Sequence, residues 1–234
     1  MNSLDLYLRV RQKEGRLYPD QIAARLPEIP AHHPLTDEWR ARAVSANQLA
    51  RYIARLPQPL RVLEVGCGNG WLSHRLASIR GVRVWCLDRG GSELAQAARL
   101  FHAPDLAFLN ADIFRSPFAP HAFDLIVLAS VIQYFPDLAD LIRTLKDLLT
   151  AGGEIHLLDS PLYTEDELAS ARERTHLYYA SLGFPEMAGC YFHHTFSALQ
   201  PFSPRWLYRP HDWQTRLRRR LGWSLPPFAW CCIH

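Results

Sequence analysis

The sequence predicts a doubly wound α/β fold, a mostly parallel sheet with helices on both faces. Three observations predict it. After Pro59, short apolar runs alternate with helical ones, which is the order of a parallel sheet and its crossovers. The apolar runs are Val, Leu and Ile without strict alternation, as in strands covered on both sides. A glycine-rich turn joins the first strand to the first helix of the series. With 234 residues, 48% of them apolar, the chain is long enough to bury one substantial core.

The elements follow in order. Residues 1–57 read as helical segments broken by Pro19, Pro27, Pro30, Pro34 and Pro57 and are expected to form a helical cap. Within it Asp37 to Arg55 has the clearest helical period, with Trp39, Ala43, Ala46, Ala50, Ile53 and Ala54 on one side and arginines on the other. Residues 58–160 are expected to form the sheet core. Its strands are Arg61 to Val65, Val82 to Leu87, Leu106 to Leu109, Phe123 to Ala129 and Glu154 to Leu158, with helices over Trp71 to Ile79, Ser92 to Phe101 and Leu138 to Leu149. In residues 161–234 a helix runs from Thr164 to about Leu182, opened by Thr164 with Glu167 three residues on and stopped by Gly183 and Pro185. Two late strands follow, Trp206 to Arg209 and Phe228 to His234, separated by a basic helix from Asp212 to Leu221. One domain, 1–234, is expected.

The net charge of +3 is too small to suggest a dedicated nucleic-acid binder, and charge alone names no partner. The basic residues are nearly all arginine, and residues 205–234 alone carry +5 through Arg205, Arg209, Arg216, Arg218, Arg219 and Arg220 against Asp212. That helix reads as a solvated face. Five cysteines in no framework spacing fit reduced thiols, the first ten residues lack a signal peptide's apolar region, and no apolar run approaches a membrane span, so a cytoplasmic chain is expected. Cys190-x-x-His193-His194 and Cys231-Cys232-x-His234 hold zinc-ligand types but match no paired knuckle, and no metal is expected.

The chemistry is concentrated in Glu64-Val65-Gly66-Cys67-Gly68-Asn69-Gly70. Glycines at 66, 68 and 70 let the backbone turn tightly and approach a ligand without a Cβ in the way. Asp88 closes the second strand and Asp112 follows the third, so both acids fall beside this loop at the carboxyl ends of neighbouring strands, where doubly wound sheets bind ligands. An acid at the end of the second strand is placed to bind ribose hydroxyls, and Asp112 next to apolar Ile113 suits adenine. A nicotinamide dehydrogenase requires G-x-G-x-x-G, whereas the third glycine here comes one residue early. The string of a P-loop is absent.

Over roughly residues 60–160 the sequence strongly resembles the class I S-adenosylmethionine-dependent methyltransferases. The resemblance rests on E-V-G-C-G-N-G, the Asp88 position, N-A-D-I at 110–113, and F-D-L-I-V-L-A-S-V-I-Q-Y before L-L-T-A-G-G-E-I. It implies a Rossmann-like, seven-stranded sheet ending in an antiparallel C-terminal strand, S-adenosylmethionine as cofactor and S-adenosylhomocysteine as product. It implies that Gly66, Gly68 and Gly70, with Cys67 and Ala129, line the methionine end. Glu64 would support the loop or the amino group, Asp88 and Arg89 would serve the ribose, and Ala111, Asp112 and Ile113 would hold adenine. Tyr18 of the cap is expected to touch the cofactor.

The acceptor is expected at the turn after the fourth strand, Ala129-Ser130-Val131-Ile132-Gln133-Tyr134, with Gln133, Tyr134 and His33 as its binding residues. The Asn/Asp-Pro-Pro-Tyr/Phe string of amino-group methyltransferases is absent. The stretch is similar to that of methyltransferases of small metabolites, including methylating domains of peptide and polyketide assembly lines. A small or medium-sized acceptor methylated on oxygen is therefore expected, with His193 or His194 as base. The partner expected is a small molecule and not nucleic acid or membrane, with the chain a monomer or homodimer. The competing readings are a cofactor-binding partner protein without catalysis and a protein or RNA methyltransferase.

Overall fold

The computed structural model describes residues 3–210, 212, 215, 217, 220, 221 and 225–234. Three N-terminal helices, α1 (Ser3–Lys13), α2 (Asp20–Ala23) and α3 (Thr36–Ile53), precede the sheet. The core then alternates β1 (Leu60–Val65), α4 (Trp71–Ala77), β2 (Val82–Asp88), α5 (Gly91–Leu100), β3 (Leu106–Asn110), β4 (Phe123–Ala129), α6 (Leu138–Leu148) and β5 (Leu149–Leu158). A two-stranded ribbon of β6 (Leu162–Tyr163) and β7 (His194–Thr195) brackets α7 (Leu168–Ser181), and β8 (Arg205–Tyr208) and β9 (Trp230–Ile233) complete the chain.

The main sheet has seven strands in the order β3-β2-β1-β4-β5-β9-β8. β1 to β5 are parallel, and β9 runs antiparallel to both β5 and β8. This is the doubly wound sheet with a reversed C-terminal strand that the sequence predicts. The order reverses at β1, so the carboxyl ends of β1, β2 and β4 open onto one crevice. Two layers of side chains fill the sheet's faces. One, with Val62, Val84, Leu125 and Val127, packs under α3 and α4. The other, with Leu63, Val65, Ile126 and Leu128, packs under Leu141, Ile142 and Leu145 of α6.

Local chemistry explains the boundaries. α6 begins where the Asp137 carboxylate accepts the Asp140 amide at 2.9 Å, an N-cap. The predicted capping box is present: Thr164 and Glu167 cap each other reciprocally, a single 3₁₀ turn follows, and α7 ends before Gly183 at φ +86°. β5 starts at Leu149, five residues earlier than expected, because the register shifts between Phe123 and Leu125 and Gly152, at φ +80°, lets the strand bulge instead of stopping it. On α3 the buried side comprises Trp39, Ser45, Ala46, Leu49 and Ile53, while Ala54 is exposed. The basic helix expected over Asp212 to Leu221 lies largely outside the described residues, including Arg216, Arg218 and Arg219. No helix among the described residues is long and apolar enough to cross a membrane.

Candidate active site

The carboxyl ends of β1 and β4 form the floor of a cavity of about 670 Å³. Glu64, Gly66, Cys67, Gly68 and Asn69 line one end, with Ala129, Ser130 and Asp159 beside them. The glycine loop is shaped by necessity at two points. Gly66 lies at φ +74°, and a Cβ there would come within 2.2 Å of Val131 Cγ2; Gly70 lies at φ +73°, and a Cβ would meet Phe108 and Ala97 below 3 Å. Gly68, at φ +53°, is different. A Cβ on it would face open space, with Glu93 Oε1 4.0 Å away.

Asp88 fixes this loop from the next strand. Its Oδ2 accepts the Gly68 amide at 2.7 Å and its Oδ1 the Gly90 amide at 2.6 Å. At the ends of β2 and β3, Arg89 pairs with Asp112 at 3.7 Å, the Ala111 amide donates to the Asp88 carbonyl, and the Asp112 carboxylate accepts the Phe114 amide. Ile113 is buried beneath. Asp88, Arg89, Ala111, Asp112 and Ile113 thus form one continuous edge, joined to the cavity through Gly68 but outside its lining. Glu64 is buried below the loop, where it accepts a hydrogen bond from Ser73, and burial pushes its carboxyl up to about 8.

The cap forms the cavity's other walls. Tyr18 lines it, its hydroxyl accepting Trp39 Nε1–H at 2.8 Å, while His33 packs on Tyr18 outside the lining and accepts the Leu35 amide on Nδ1. Arg16 donates twice to Glu38 at 2.7 Å, and Arg42 reaches both Glu38 at 3.0 Å and Ser130 Oγ at 3.1 Å. Between these two guanidiniums the Glu38 carboxyl falls to about 2. From α1, Tyr7, Arg11 and Glu14 also face inward.

Aromatic residues dominate the far end. Seven of the chain's nine tyrosines line the cavity: Tyr7, Tyr18, Tyr134, Tyr163, Tyr178, Tyr179 and Tyr191. Tyr134 stands edge-on to Tyr7 at 5.3 Å and to Tyr191 at 6.0 Å, and Tyr191 meets Tyr179 at 6.1 Å. Gln133 and Tyr134 of the turn after β4 are in the wall. Gln133 Nε2 donates to the Ser130 carbonyl, and its Oε1 is buried without a partner.

The two histidines expected to supply a base are not among the cavity's lining residues. His194 is buried with Nε2 3.0 Å from the carbonyls of both Ile132 and Phe135, so that its N–H braces the turn carrying Gln133. His193 bonds Thr175 and packs against Tyr163 and Tyr191, and burial lowers the pKa of both rings. The titratable group at the carboxyl end of β5 is Asp159. It lines the cavity at φ +55°, accepts Ser45 Oγ–H at 2.6 Å, and desolvation pushes it up to about 6. Its neighbour across the strands, Ser130, is also left-handed at φ +60°. Two non-glycine residues in that region at adjacent strand ends mark backbone held against its preference.

Among the described residues one trio of metal-ligand types converges, Glu154, Cys232 and His234, with ligand atoms within 4.8 Å of one another. Arg205 donates to both Glu154 and Cys232 Sγ, at 3.2 Å each, and so sets a cation against two of the three.

Residues 62–153 match the family described as "Methyltransferase domain". The chain is 28% identical over 178 residues to polyketide synthase ThaG of Burkholderia thailandensis, a match covering 68% of this chain and 3% of that one. It is 33% identical over 102 residues to the ubiquinone biosynthesis O-methyltransferase of Pseudomonas aeruginosa, covering 42% of this chain and 43% of the relative. The chain thus spans less than half the length of either curated relative. In fold it is similar to the cyclopropane synthase MmaA2 of Mycobacterium tuberculosis, with a TM-score of 0.59 at 18% identity over 82% of this chain and 74% of that one. The glycine loop and the acid tied to it on the neighbouring strand both lie within residues 62–153, the segment that matches the methyltransferase domain family.

Proposed function

We propose that the protein transfers a methyl group from S-adenosylmethionine to an oxygen of a small or medium-sized metabolite. The observation that carries this reading is the cavity itself, which runs from the glycine loop to a tyrosine-walled chamber roofed by the cap. At about 670 Å³, shared between cofactor and acceptor, it suits a compact acceptor. The O-methyltransferase among the relatives supports oxygen.

The residues fit the cofactor. Gly68, whose Cβ position is open, leaves room for its methionine end, Gly66 lets the loop turn against Val131, Glu64 lies beneath the loop, and the edge of Asp88, Arg89, Ala111, Asp112 and Ile113 would hold ribose and adenine. When bound, S-adenosylmethionine supplies an electrophilic methyl carbon on a sulfonium. The chain's own work is to orient the acceptor against Gln133 and Tyr134, to exclude water with the cap, and to receive the hydroxyl proton. We assign that proton to Asp159, a carboxylate facing the cavity with its affinity for protons raised, in place of His193 and His194.

Calorimetric titration with S-adenosylhomocysteine, beside NADH as control, tests the cofactor. Micromolar binding of the first and none of the second is expected. With binding established, a panel of hydroxylated metabolites is assayed for S-adenosylhomocysteine release. Transfer only to protein or RNA would refute the small-molecule reading.

A further inference from the structure

The turn after β4 uses its polar groups to hold itself in place. The Ser130 amide donates to the Leu158 carbonyl at 2.9 Å, the Val131 amide to Ser160 Oγ at 3.2 Å, and the Ser130 hydroxyl accepts Arg42 at 3.1 Å. The Gln133 carbonyl accepts the Phe192 amide at 2.7 Å, and His194 braces the carbonyls of Ile132 and Phe135. The Gln133 side chain departs from this pattern. It lines the cavity and is only 5% exposed. Its Nε2 donates to the Ser130 carbonyl at 2.8 Å, which leaves Oε1 buried with no hydrogen-bond partner. The Tyr134 hydroxyl lies near this amide without bonding Oε1. Turning the amide over gives no relief, because Oε1 would then face the Ser130 carbonyl, acceptor against acceptor. A buried amide oxygen left unpaired is costly, and one in the wall of a ligand cavity is suited to a donor that arrives with the ligand.

Position says which part of the ligand that donor belongs to. Ser130 is tied through its amide to Leu158, the residue before Asp159, and through its carbonyl to Gln133. Asp159, assigned above as the group that receives the hydroxyl proton, and Gln133 therefore flank a single residue of the turn. A methyl acceptor that gives one hydroxyl to Asp159 brings its neighbouring substituent toward Gln133. The wall beside them is aromatic, with Tyr134 edge-on to Tyr7 and to Tyr191, and suits a planar ring.

We propose that Gln133 sets the specificity for the methyl acceptor, its Oε1 receiving a hydrogen bond from a second donor, hydroxyl or amino, on the ring carbon next to the one whose oxygen is methylated. This rests on the oxygen-methylation reading above and names the acceptor class, a ring carrying a vicinal pair of donors. In the transfer the first hydroxyl gives its proton to Asp159, and its oxygen bonds the methyl carbon as the carbon–sulfur bond breaks. The second donor keeps its proton and orients the ring.

The test compares catechol, 2-aminophenol and phenol, of which only the last lacks the second donor, on wild type, Gln133→Met and Gln133→Asn. Each variant is first checked for an unchanged circular dichroism spectrum. Two quantities are read: calorimetric affinity of each probe for the protein saturated with S-adenosylhomocysteine, and kcat/KM for S-adenosylhomocysteine release, with the methylated product identified by mass spectrometry. In wild type, catechol and 2-aminophenol are expected to be favoured over phenol by about 10- to 100-fold in both, the effect of one buried hydrogen bond whose loss leaves Oε1 unpaired. Gln133→Met, which keeps the side chain's length and removes the oxygen, is expected to bring that ratio below about threefold, and Gln133→Asn, which draws the oxygen back by one carbon, to lower it as well. A merely structural role would weaken all three probes alike and leave the ratio intact. That outcome, equal treatment of the three probes by wild type, or no binding of any of them would each overturn the proposal. Equal O-methylation of phenol and catechol would leave the oxygen reading standing, whereas transfer to a ring carbon would overturn both.

Discussion

The Gly68 amide and the Asp88 carboxylate are joined by a 2.7 Å hydrogen bond that crosses from the β1–α4 turn to the end of β2. Asp88 thereby holds the loop in shape as well as being the residue proposed above to hold the ribose. Asp88→Ala is expected to lower S-adenosylhomocysteine affinity by more than about tenfold and to cost about 1–3 kcal/mol of stability. Calorimetry and urea denaturation measure the two separately. A variant that lost affinity at unchanged stability would show that the carboxylate serves the ligand alone.

The loop's glycines divide by role. Alanine at Gly66 or Gly70 collides with Val131, or with Phe108 and Ala97, and forces a left-handed residue. Each is expected to lower the melting midpoint by several degrees, about 2–4 °C per kcal/mol for a chain of this size. Gly68→Ala meets open space but still forces a left-handed residue at φ +53°, so it is expected to cost about 1 kcal/mol of stability without a collision, and to lower cofactor affinity as well. A melting series with matching titrations checks the division.

Glu64 makes stability and binding depend on pH. Its folded-state pKa of about 8 lies above the ordinary 4.5, so between those values the folded chain holds a proton that the unfolded chain releases. Its contribution therefore falls as pH rises from about 4.5 to 8 and is constant above that. A cofactor ammonium near Glu64 favours the ionised form, so binding at pH 7 is expected to release up to about one proton per site. Titrations in phosphate and in Tris would show this as a buffer-dependent enthalpy, and Glu64→Gln is expected to abolish it.

Asp159 predicts the acid limb of the rate profile. With its pKa raised to about 6, the carboxylate is available as a base only above that value, so activity on a hydroxyl acceptor is expected to rise through pH 6. Asp159→Asn is expected to remove the limb and lower kcat by about 100-fold or more, with S-adenosylhomocysteine affinity held within about threefold. His194→Ala is expected to lower stability instead, by about 1–3 kcal/mol, since the Phe135 carbonyl would lose this donor while the Ile132 carbonyl keeps the Phe135 amide. Full activity in Asp159→Asn would return the base to another group.

The sheet and the glycine loop were legible because strand runs, capping box and turn glycines are local signals. Thr164 with Glu167, Asp137 and Gly183 each mark their boundary within a few residues. The cavity's remaining wall was not legible. Tyr7, Arg11, Glu38, Tyr179 and Asp159 lie on five separate segments and meet only through tertiary packing, so no spacing announces them. His193 and His194 misled for the same reason: a histidine pair has the right chemistry, but whether its nitrogens face a cavity or two backbone carbonyls is decided by the ribbon of β6 and β7. Gly152 misled locally, since a glycine that permits a bulge looks the same in sequence as one that ends a strand.

The small cluster of Leu6, Val10, Tyr179 and Met187 is separate from the two layers that pack against the main sheet. Tyr134 packs against both this cluster and the layer beneath α6, and exchanges at Leu6, Val10, Tyr179 and Met187 are expected to act on α1 and α7, which carry Tyr7, Arg11 and Tyr178, more than on the layers that hold β1 to β5 in register. The molecule is therefore divided into a conservative half and an adaptable one. Substitutions in this satellite would redraw which acceptors fit while the sheet's melting behaviour stays nearly fixed, which gives a lineage room to acquire new substrates at little risk to folding.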